Sequence, residues 1–346
     1  MPGRRVLLAV EEHDGALLTA ARNAALPALA LALLWSTGTT HALAAAADAA
    51  YPQRPIRFLI PQIAGSAYDL AGRVITGKMS ETLGQPFISE NLPGASGIPA
   101  ANSVARATPD GYTLLFVTSP NAVNATFYEN LSFNFLRDIV PVAGVGRGPL
   151  VLLASSSLPA RTIPEFIAYA RTPGVKISMA SSGTGTITHV AGELFKLAAE
   201  IPMLHVPYRG EAPAITDMIA GQVQVMFANL PPALEHVRAG RLHALAVTTA
   251  QRSPVLPEVS AMTEYLPGYE ASGWQGLGAP VGTEDPIVQQ LSREVQSALG
   301  ENAMHDRLAA LGVDPLLLPK NEFDRFVTAE TEKWAKVVRS ARIKPD

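Results

Sequence analysis

Two segments of this chain repeat one plan: an apolar run, a short loop rich in glycine and hydroxyls, then a helical pattern. In the first, Ile56–Ile60 leads into Pro61-Gln62-Ile63-Ala64-Gly65-Ser66-Ala67-Tyr68-Asp69. Leu70, Val74, Ile75, Met79 and Leu83 follow at helical spacing, and Gly84 ends the pattern. In the second, Val175–Met179 leads into Ala180-Ser181-Ser182-Gly183-Thr184-Gly185-Thr186-Ile187-Thr188-His189 and then the helical stretch Val190–Ala199. The two helices open alike, Asp69-Leu70-Ala71-Gly72 beside His189-Val190-Ala191-Gly192. Strands handing over to helices in this way build an α/β sheet. Each such loop also ends at a helix N-terminus, where N–H groups lack partners and the dipole is positive. Glycine lets a ligand approach the backbone, so each loop is a candidate anion site. One loop per lobe suggests an anion clamped between lobes.

The rest of the chain fits this frame. Phe87–Ser89 is a short strand, and Pro93-Gly94-Ala95-Ser96-Gly97 is a turn before the helix Ile98–Ala105. Thr113–Thr118 is a strongly apolar strand, with Ser119 and Asn121 just past its end as candidate ligand contacts. Pro141–Ala154 reads as a strand crossing between lobes. Helices are expected at Ile163–Arg171, Ala212–Ile219 and Leu234–Ala239, and strands at Met203–Val206, Val223–Phe227 and Leu242–Thr248. The proline-bearing stretch Gln251–Pro267 reads as a return connection. Gly273–Ala279 is a further strand, and Ile287–Leu299, Asn302–Leu311 and Phe323–Ser340 close the chain as helices. The expected division is residues 51–152 with 253–346 as one lobe and 153–252 as the other.

Residues 1–50 are expected to be a removable secretory signal. Arg4 and Arg5 precede the apolar run Ala24–Trp35, and the alanine-rich tract His41–Ala50 offers cleavage sites from Ala44 to Ala50. Glu11, Glu12 and Asp14 upstream of the apolar run are unusual for such a segment. The run is too short to span a membrane. A secreted, soluble mature protein is therefore expected.

Composition excludes several classes. Net charge is −3 and no basic stripe with interleaved aromatics occurs, so nucleic-acid binding is not expected. The absence of cysteine rules out disulfides, thiolate metal sites and a cysteine nucleophile. The second loop has neither G-K-[ST] for a phosphate loop nor the third glycine of a dinucleotide fingerprint. Seven of its ten residues are Ser, Thr or Gly, more than a turn needs. No G-x-S-x-G elbow supports a serine hydrolase, although Ser181 or Ser182 could meet His205 or His243 in space. His189 reads as a residue that holds the loop by a hydrogen bond, since no histidine or carboxylate stands at metal-ligand spacing. Asp69 reads as a cap of its helix, or as an acceptor for a ligand amine. Beyond the loops, Tyr208 and Arg209 precede a helix, Arg209 being either a lobe-closing cation or a solvated one. Ala228 and Asn229 follow the strand Val223–Phe227. Both places belong to the sheet edge where α/β proteins bind ligands.

A string of motifs then narrows the family. Tyr51-Pro52-x-Arg54-Pro55-Ile56, Glu90-Asn91-x-Pro93-Gly94-Ala95, Pro109-Asp110-Gly111-Tyr112-Thr113-Leu114-Leu115 and Ala191-Gly192-Glu193-Leu194-Phe195 occur in order. His205-Val206-Pro207-Tyr208, Gly221-Gln222-Val223, Asn229-Leu230-Pro231, Ala244-Leu245-Ala246-Val247-Thr248 and Leu266-Pro267-Gly268-Tyr269 follow. The chain resembles the Bug-type periplasmic receptors of tripartite tricarboxylate transporters from Tyr51 to Asp346. The resemblance implies an α/β, two-lobed periplasmic binding protein fold, type II-like, with two α/β domains joined by crossover strands around a ligand cleft. It implies a non-enzymatic, monomeric receptor without cofactor or metal. Such a receptor closes on a small carboxylate, a di- or tricarboxylate or an aromatic one, and delivers it to membrane transporter subunits. A receptor that reports to a membrane sensor is the alternative.

On this resemblance the ligand contacts are Ala64, Gly65, Ser66, Ala67, Tyr68 and Asp69 from the first loop. Ser181, Ser182, Gly183, Thr184, Gly185, Thr186 and His189 come from the second, and Ser119, Asn121, Tyr208, Arg209, Ala228 and Asn229 complete the set. The first loop departs from the family pattern: a hydroxyl is lost at Ala67 and an aromatic enters at Tyr68. Ala228 stands where the family often has aspartate, which removes a partner for a cationic group and makes an amino-acid ligand less expected. Tyr68 either stacks on an aromatic ligand or fills space.

Overall fold

The computed structural model describes residues 51–128 and 130–344. The expected signal segment, residues 1–50, lies outside the described residues. Strand β1 (Ile56–Ile60) hands over to helix α1 (Ala67–Leu83), whose end at Gly84 adopts the left-handed conformation that glycine permits. Strand β2 (Phe87–Asn91), helix α2 (Ile98–Ala105), strand β3 (Thr113–Thr118) and helices α3 (Ser119–Phe127) and α4 (Phe135–Asp138) follow. The long strand β4 (Ile139–Ser155) comes next, then α5 (Ile163–Ala170), β5 (Ser178–Ser181), α6 (Ile187–Ala199), β6 (Leu204–Pro207) and α7 (Glu211–Ile219). Strand β7 (Val225–Asn229), helix α8 (Leu230–Arg238) and strand β8 (Leu242–Val247) precede β9 (Ser272–Pro280). Helices α9 (Asp285–Leu299) and α10 (Asn302–Ala309), the short β10 (Asp314–Pro315) and helix α11 (Lys320–Ser340) end the chain.

The strands form one mixed sheet in the order β2-β1-β3-β9-β4-β7-β5-β6, with β8 and β10 also on β4. Parallel pairing holds at both ends, β2-β1-β3 and β7-β5-β6. It fails in the middle, where β9 runs antiparallel to β3 and β4, and β4 antiparallel to β7 and β8. The reason is topological. Strand β4 carries the chain out of the first half of the sheet and β9 lies beside it on the way back, so the two run in opposite senses. The first part of β4, up to Pro149, pairs with β9, and the part from Leu150 pairs with β7. The described residues from Arg54 onward form one compact unit.

The middle of the sheet is packed by residues with little freedom. Every residue of β9 is buried. Trp274 and Trp334 are fully buried, and both indole N–H groups donate to Glu330 Oε2 at 3.0 Å. Trp274 also meets the rings of Phe323 and Phe326 edge-on, at 5.9 and 5.3 Å between centroids. Helix α11 is thereby fixed to the central strands by one carboxylate and a ring cluster.

Several elements differ from the sequence-based expectation. The strands expected at Val175–Met179 and Val223–Phe227 lie further along, at Ser178–Ser181 and Val225–Asn229. Apolar runs report which residues are buried, whereas the ladder Met179↔Val225 and Ala180↔Met226 decides which are paired. Helix α3 was not anticipated. Its Ser119, Pro120, Asn121, Ala122, Val123 and Asn124 are all buried, so it carries no amphipathic stripe to read. Helices α1 and α6 begin three residues before the expected starts at Leu70 and Val190, inside the two loops.

Candidate functional site

Those early helix starts shape the two loops. In the first, Ser66 caps α1, its Oγ accepting from Asp69 N at 3.2 Å. Asp69 reaches back to accept from Gly65 N at 2.8 Å, and its other oxygen accepts from Arg73 Nε and Asn91 Nδ2, both at 2.9 Å. Burial would raise the Asp69 carboxyl, but the donors from Asn91, Gly65 and Arg73 outweigh it and hold it below the usual range. Asp69 is thus consumed in holding the loop. The N–H groups of Ala67 and Tyr68, in the first turn, lie beyond the reach of the helix's own carbonyls.

The second loop is held by hydroxyls. Thr186 Oγ1 donates to the Gly183 carbonyl at 2.6 Å. Thr188 Oγ1 therefore donates to Thr186, and Ser182 Oγ donates to Thr188, each at 2.9 Å. Thr188 Oγ1 accepts in addition from Ser182 N at 2.9 Å. Thr188 is fully buried and is the hub of the loop. Thr188→Val keeps the shape but orphans the Ser182 N–H, at about 1–3 kcal/mol. The expected outcome is a melting point a few degrees lower and roughly tenfold weaker ligand binding, read by calorimetry.

Beneath the loop, two imidazoles stack. His189 and His205 lie 3.6 Å apart between centroids, 7° from parallel. His189 Nδ1 accepts from Gly185 N at 3.1 Å, and Nε2 sits 3.7 Å from Glu193 Oε1. Burial would raise the Glu193 carboxyl, but hydrogen bonds from His189 and Lys196 hold it below its usual range. Glu193 corrects one expectation, because a carboxylate does stand one helical turn from His189. Among the described residues no group of three or more metal-ligating acids and imidazoles occurs. Ser181 Oγ is 2.7 Å from His205 Nε2, but it is fully buried and also bonds Gly183 N and the Gly183 carbonyl at 3.2 Å. It positions the loop and has no access to a substrate carbonyl.

Both loops open on a cavity of about 780 Å³, within the range of small-molecule sites. Of the expected residues, Ser66, Ala67, Tyr68, Ser182, Gly183, Thr184, Thr186, Arg209 and Asn229 line it. The others do not, each for a visible reason. Ala64 and Gly65 are exposed beyond it, and Asp69 faces Asn91. Asn121 Oδ1 accepts from Thr118 N at 2.8 Å, capping α3, and Ser119 is buried beside the Tyr68 phenol. Ser181 and His189 support the second loop from below. Gly185 abuts Phe127, where an added Cβ would lie 3.0 Å from the ring. Tyr208 donates its hydroxyl to Asp217 at 2.7 Å, and Ala228 is buried in β7.

With this geometry in place, comparison with known proteins is decisive. Residues 71–343 match the model of the "Tripartite tricarboxylate transporter family receptor". The chain belongs to that receptor family. It is 34% identical to Protein BugT of Bordetella pertussis over 297 residues, covering 85% of this chain and 91% of BugT. Among solved structures it is similar to R. palustris Rpa4515 with adipate, at TM-score 0.77 and 34% identity, covering 86% of this chain and all of that one. It is also similar to MatC from Rhodopseudomonas palustris with bound malate, at TM-score 0.72 and 31% identity, over 83% of this chain and all of that one.

The receptor's cleft contains residues that sequence reading passed over. Gly273 and Gln275, on one face of β9, line it, as do the turn Pro93–Gly97 and Glu211. Tyr68 lays its hydroxyl over Gly273, where an added Cβ would sit 2.5 Å from Oη. Tyr68 thus covers the sheet at Gly273 while it lines the cavity. Burial raises its phenol to about 12, against a smaller opposing influence of Ser119. Glu211 Oε1 accepts from Asn229 N at 3.2 Å and from Asn229 Nδ2. Burial raises the Glu211 carboxyl to about 7, with the Asn229 donors opposing. Glu211 thus puts an acid on the cavity wall although Ala228 does not. Glu211 was hidden in plain view, because an acid in a first helical turn ordinarily needs no further explanation. Gln275, the one amide side chain in a mostly apolar strand, was the available signal for β9.

Proposed function

We propose that this receptor binds a small carboxylate in the periplasm and delivers it to the membrane subunits of a tripartite transporter. One observation carries the reading: two helix N-termini, those of α1 and α6, open on the same cavity with donors to spare. A carboxylate there accepts from the N–H groups of Ala67 and Tyr68 and from the second loop. Each hydrogen bond to the charged group contributes about 1.5–3 kcal/mol. The adipate and malate held by the two solved relatives support a dicarboxylate-sized ligand class. Among the described residues no helix is long and apolar enough to cross a membrane, which suits a receptor that works beside its transporter.

Closure follows from where the contacts lie. In this reading residues 153–252 form one lobe and the remainder of the unit the other, with β4 and β9 as the crossing strands. A ligand that touches both loops favours the closed arrangement over the open one. Isothermal titration against mono-, di- and aromatic carboxylates tests the proposal. At least one acid is expected to bind in the micromolar range or tighter, on the order of 8 kcal/mol. Silence across the whole panel would overturn it.

A further inference from the structure

Three polar groups in the cleft are not used by the two loops. Glu211 opens helix α7, and both hydrogen bonds that Asn229 donates to it fall on Oε1 and not on Oε2. Gln275 is 3% exposed, lines the cleft, and its Nε2 has no hydrogen-bond acceptor. A buried amide left without a partner is costly, so a group that satisfies it is expected from outside the chain. Asn229 Oδ1 and Tyr68 Oη both lie over Gly273, two residues from Gln275 on the same face of β9, and Gln275 Nε2 lies over Gly146 of the neighbouring strand β4. Around them the cleft is apolar, with Ile63, Pro149, Ile187, Pro231 and Val313 on its walls.

We propose that Glu211, Asn229 and Gln275 form a polar subsite for a hydroxyl of the ligand, so that this receptor prefers a hydroxy-carboxylate to a dicarboxylate. The inference rests on the carboxylate reading above and deepens it. A hydroxyl both donates, as Glu211 requires, and accepts, as Gln275 requires. A second carboxylate could accept from Gln275 but would meet the Glu211 charge in a poorly solvated cleft. An ammonium could pair with Glu211 but has no lone pair for the Gln275 amide. The N-terminus of α7, a natural seat for an anion, is already taken by the chain's own acid.

The groups facing Glu211 are few. Tyr68 approaches from α1 with its phenol neutral, Asn229 from the start of α8, and Arg209 precedes Gly210 on the cleft rim. Measurement at about pH 8 keeps an ordinary carboxylate ligand ionised and Glu211 mostly so.

Calorimetric titration of the mature receptor would compare acids matched in length: hexanoate, omega-hydroxyhexanoate, omega-aminohexanoate and adipate, then benzoate, para-hydroxybenzoate and terephthalate. In at least one series the hydroxy acid is expected to bind roughly tenfold tighter than both the plain acid and the diacid. In Glu211→Gln, which can keep the Asn229 hydrogen bonds, the gap between hydroxy acid and diacid is expected to shrink to about threefold or less. Gln275→Glu, a near-isostere that removes the amide donor, is expected to weaken the hydroxy acid. Circular dichroism melts establish that both variants are folded. If the diacid or the amino acid binds tightest, or if Glu211→Gln leaves the ranking unchanged, the subsite is wrong while the carboxylate receptor stands. If no acid binds at all, both readings fall together.

Discussion

Gly276→Val is expected to unfold the receptor or to lower its melting point by about 10 °C, the largest stability effect of any single change considered. Gly276 lies in the centre of β9, paired with Gly144 of β4. A Cβ there would press into the Phe323 ring and lie 2.5 Å from the Ala143 carbonyl oxygen. Neither obstacle is a flexible chain end. The carbonyl belongs to the neighbouring strand, and the ring is wedged against Trp274. Overpacking usually destabilises by about 1–3 kcal/mol, and a backbone obstacle moves the figure beyond that, to about 4. For a domain of this size that corresponds to roughly 10 °C. Gly77→Ala is the matched control. It lies on α1 with nothing within 4 Å of an added Cβ, so it is expected to stabilise by a few tenths to about 1 kcal/mol. A fall of less than about 3 °C for Gly276→Val would show that the central strands have slack.

The second large effect concerns the ligand. Thr184→Glu is expected to weaken binding of the tightest acid of the panel by roughly a hundredfold without lowering the melting point. Thr184 lies in the second loop, on the cavity wall, between Gly183 and Gly185. A carboxylate tethered there repels the ligand's own charge and competes for the N–H groups at the start of α6. The neutral near-isostere Thr184→Gln has the same bulk without the charge, and a loss of only a few-fold is expected. Comparing the two separates electrostatics from crowding. Equal losses would mean that the loop does not bind an anion.

Both predictions rest on features of different legibility. The second loop was readable because seven hydroxyl or glycine residues in ten exceed what a turn requires. Strand β4 was readable as one long, mostly apolar run. The family was readable from many short motifs in a fixed order. Helix α3 was not, because a helix buried on all sides carries no periodic polar face. The roles of Asp69 and His189 were half readable. Chemistry allowed each to serve a ligand or the loop, and only their partners, Gly65 with Arg73 and Gly185 with Glu193, decide for the loop.

The two loops therefore differ in kind. In the second, a chain of hydroxyls from Ser182 through Thr188 to Thr186 fixes the backbone before any ligand arrives. In the first, one buried carboxylate does the fixing, and Tyr68 turns away from the loop to roof the sheet at Gly273.

Local pattern determined the α/β class, the order of most elements and the presence of two anion-seeking helix starts, because those depend on neighbours along the chain. Which of the expected residues face the cleft, and which others join them, was decided by the tertiary structure. Glu211, Asn229 and Gln275 come from a helix start and two strands far apart in sequence. Whether a polar atom is spent or free depends on partners that only the folded sheet brings within hydrogen-bond distance.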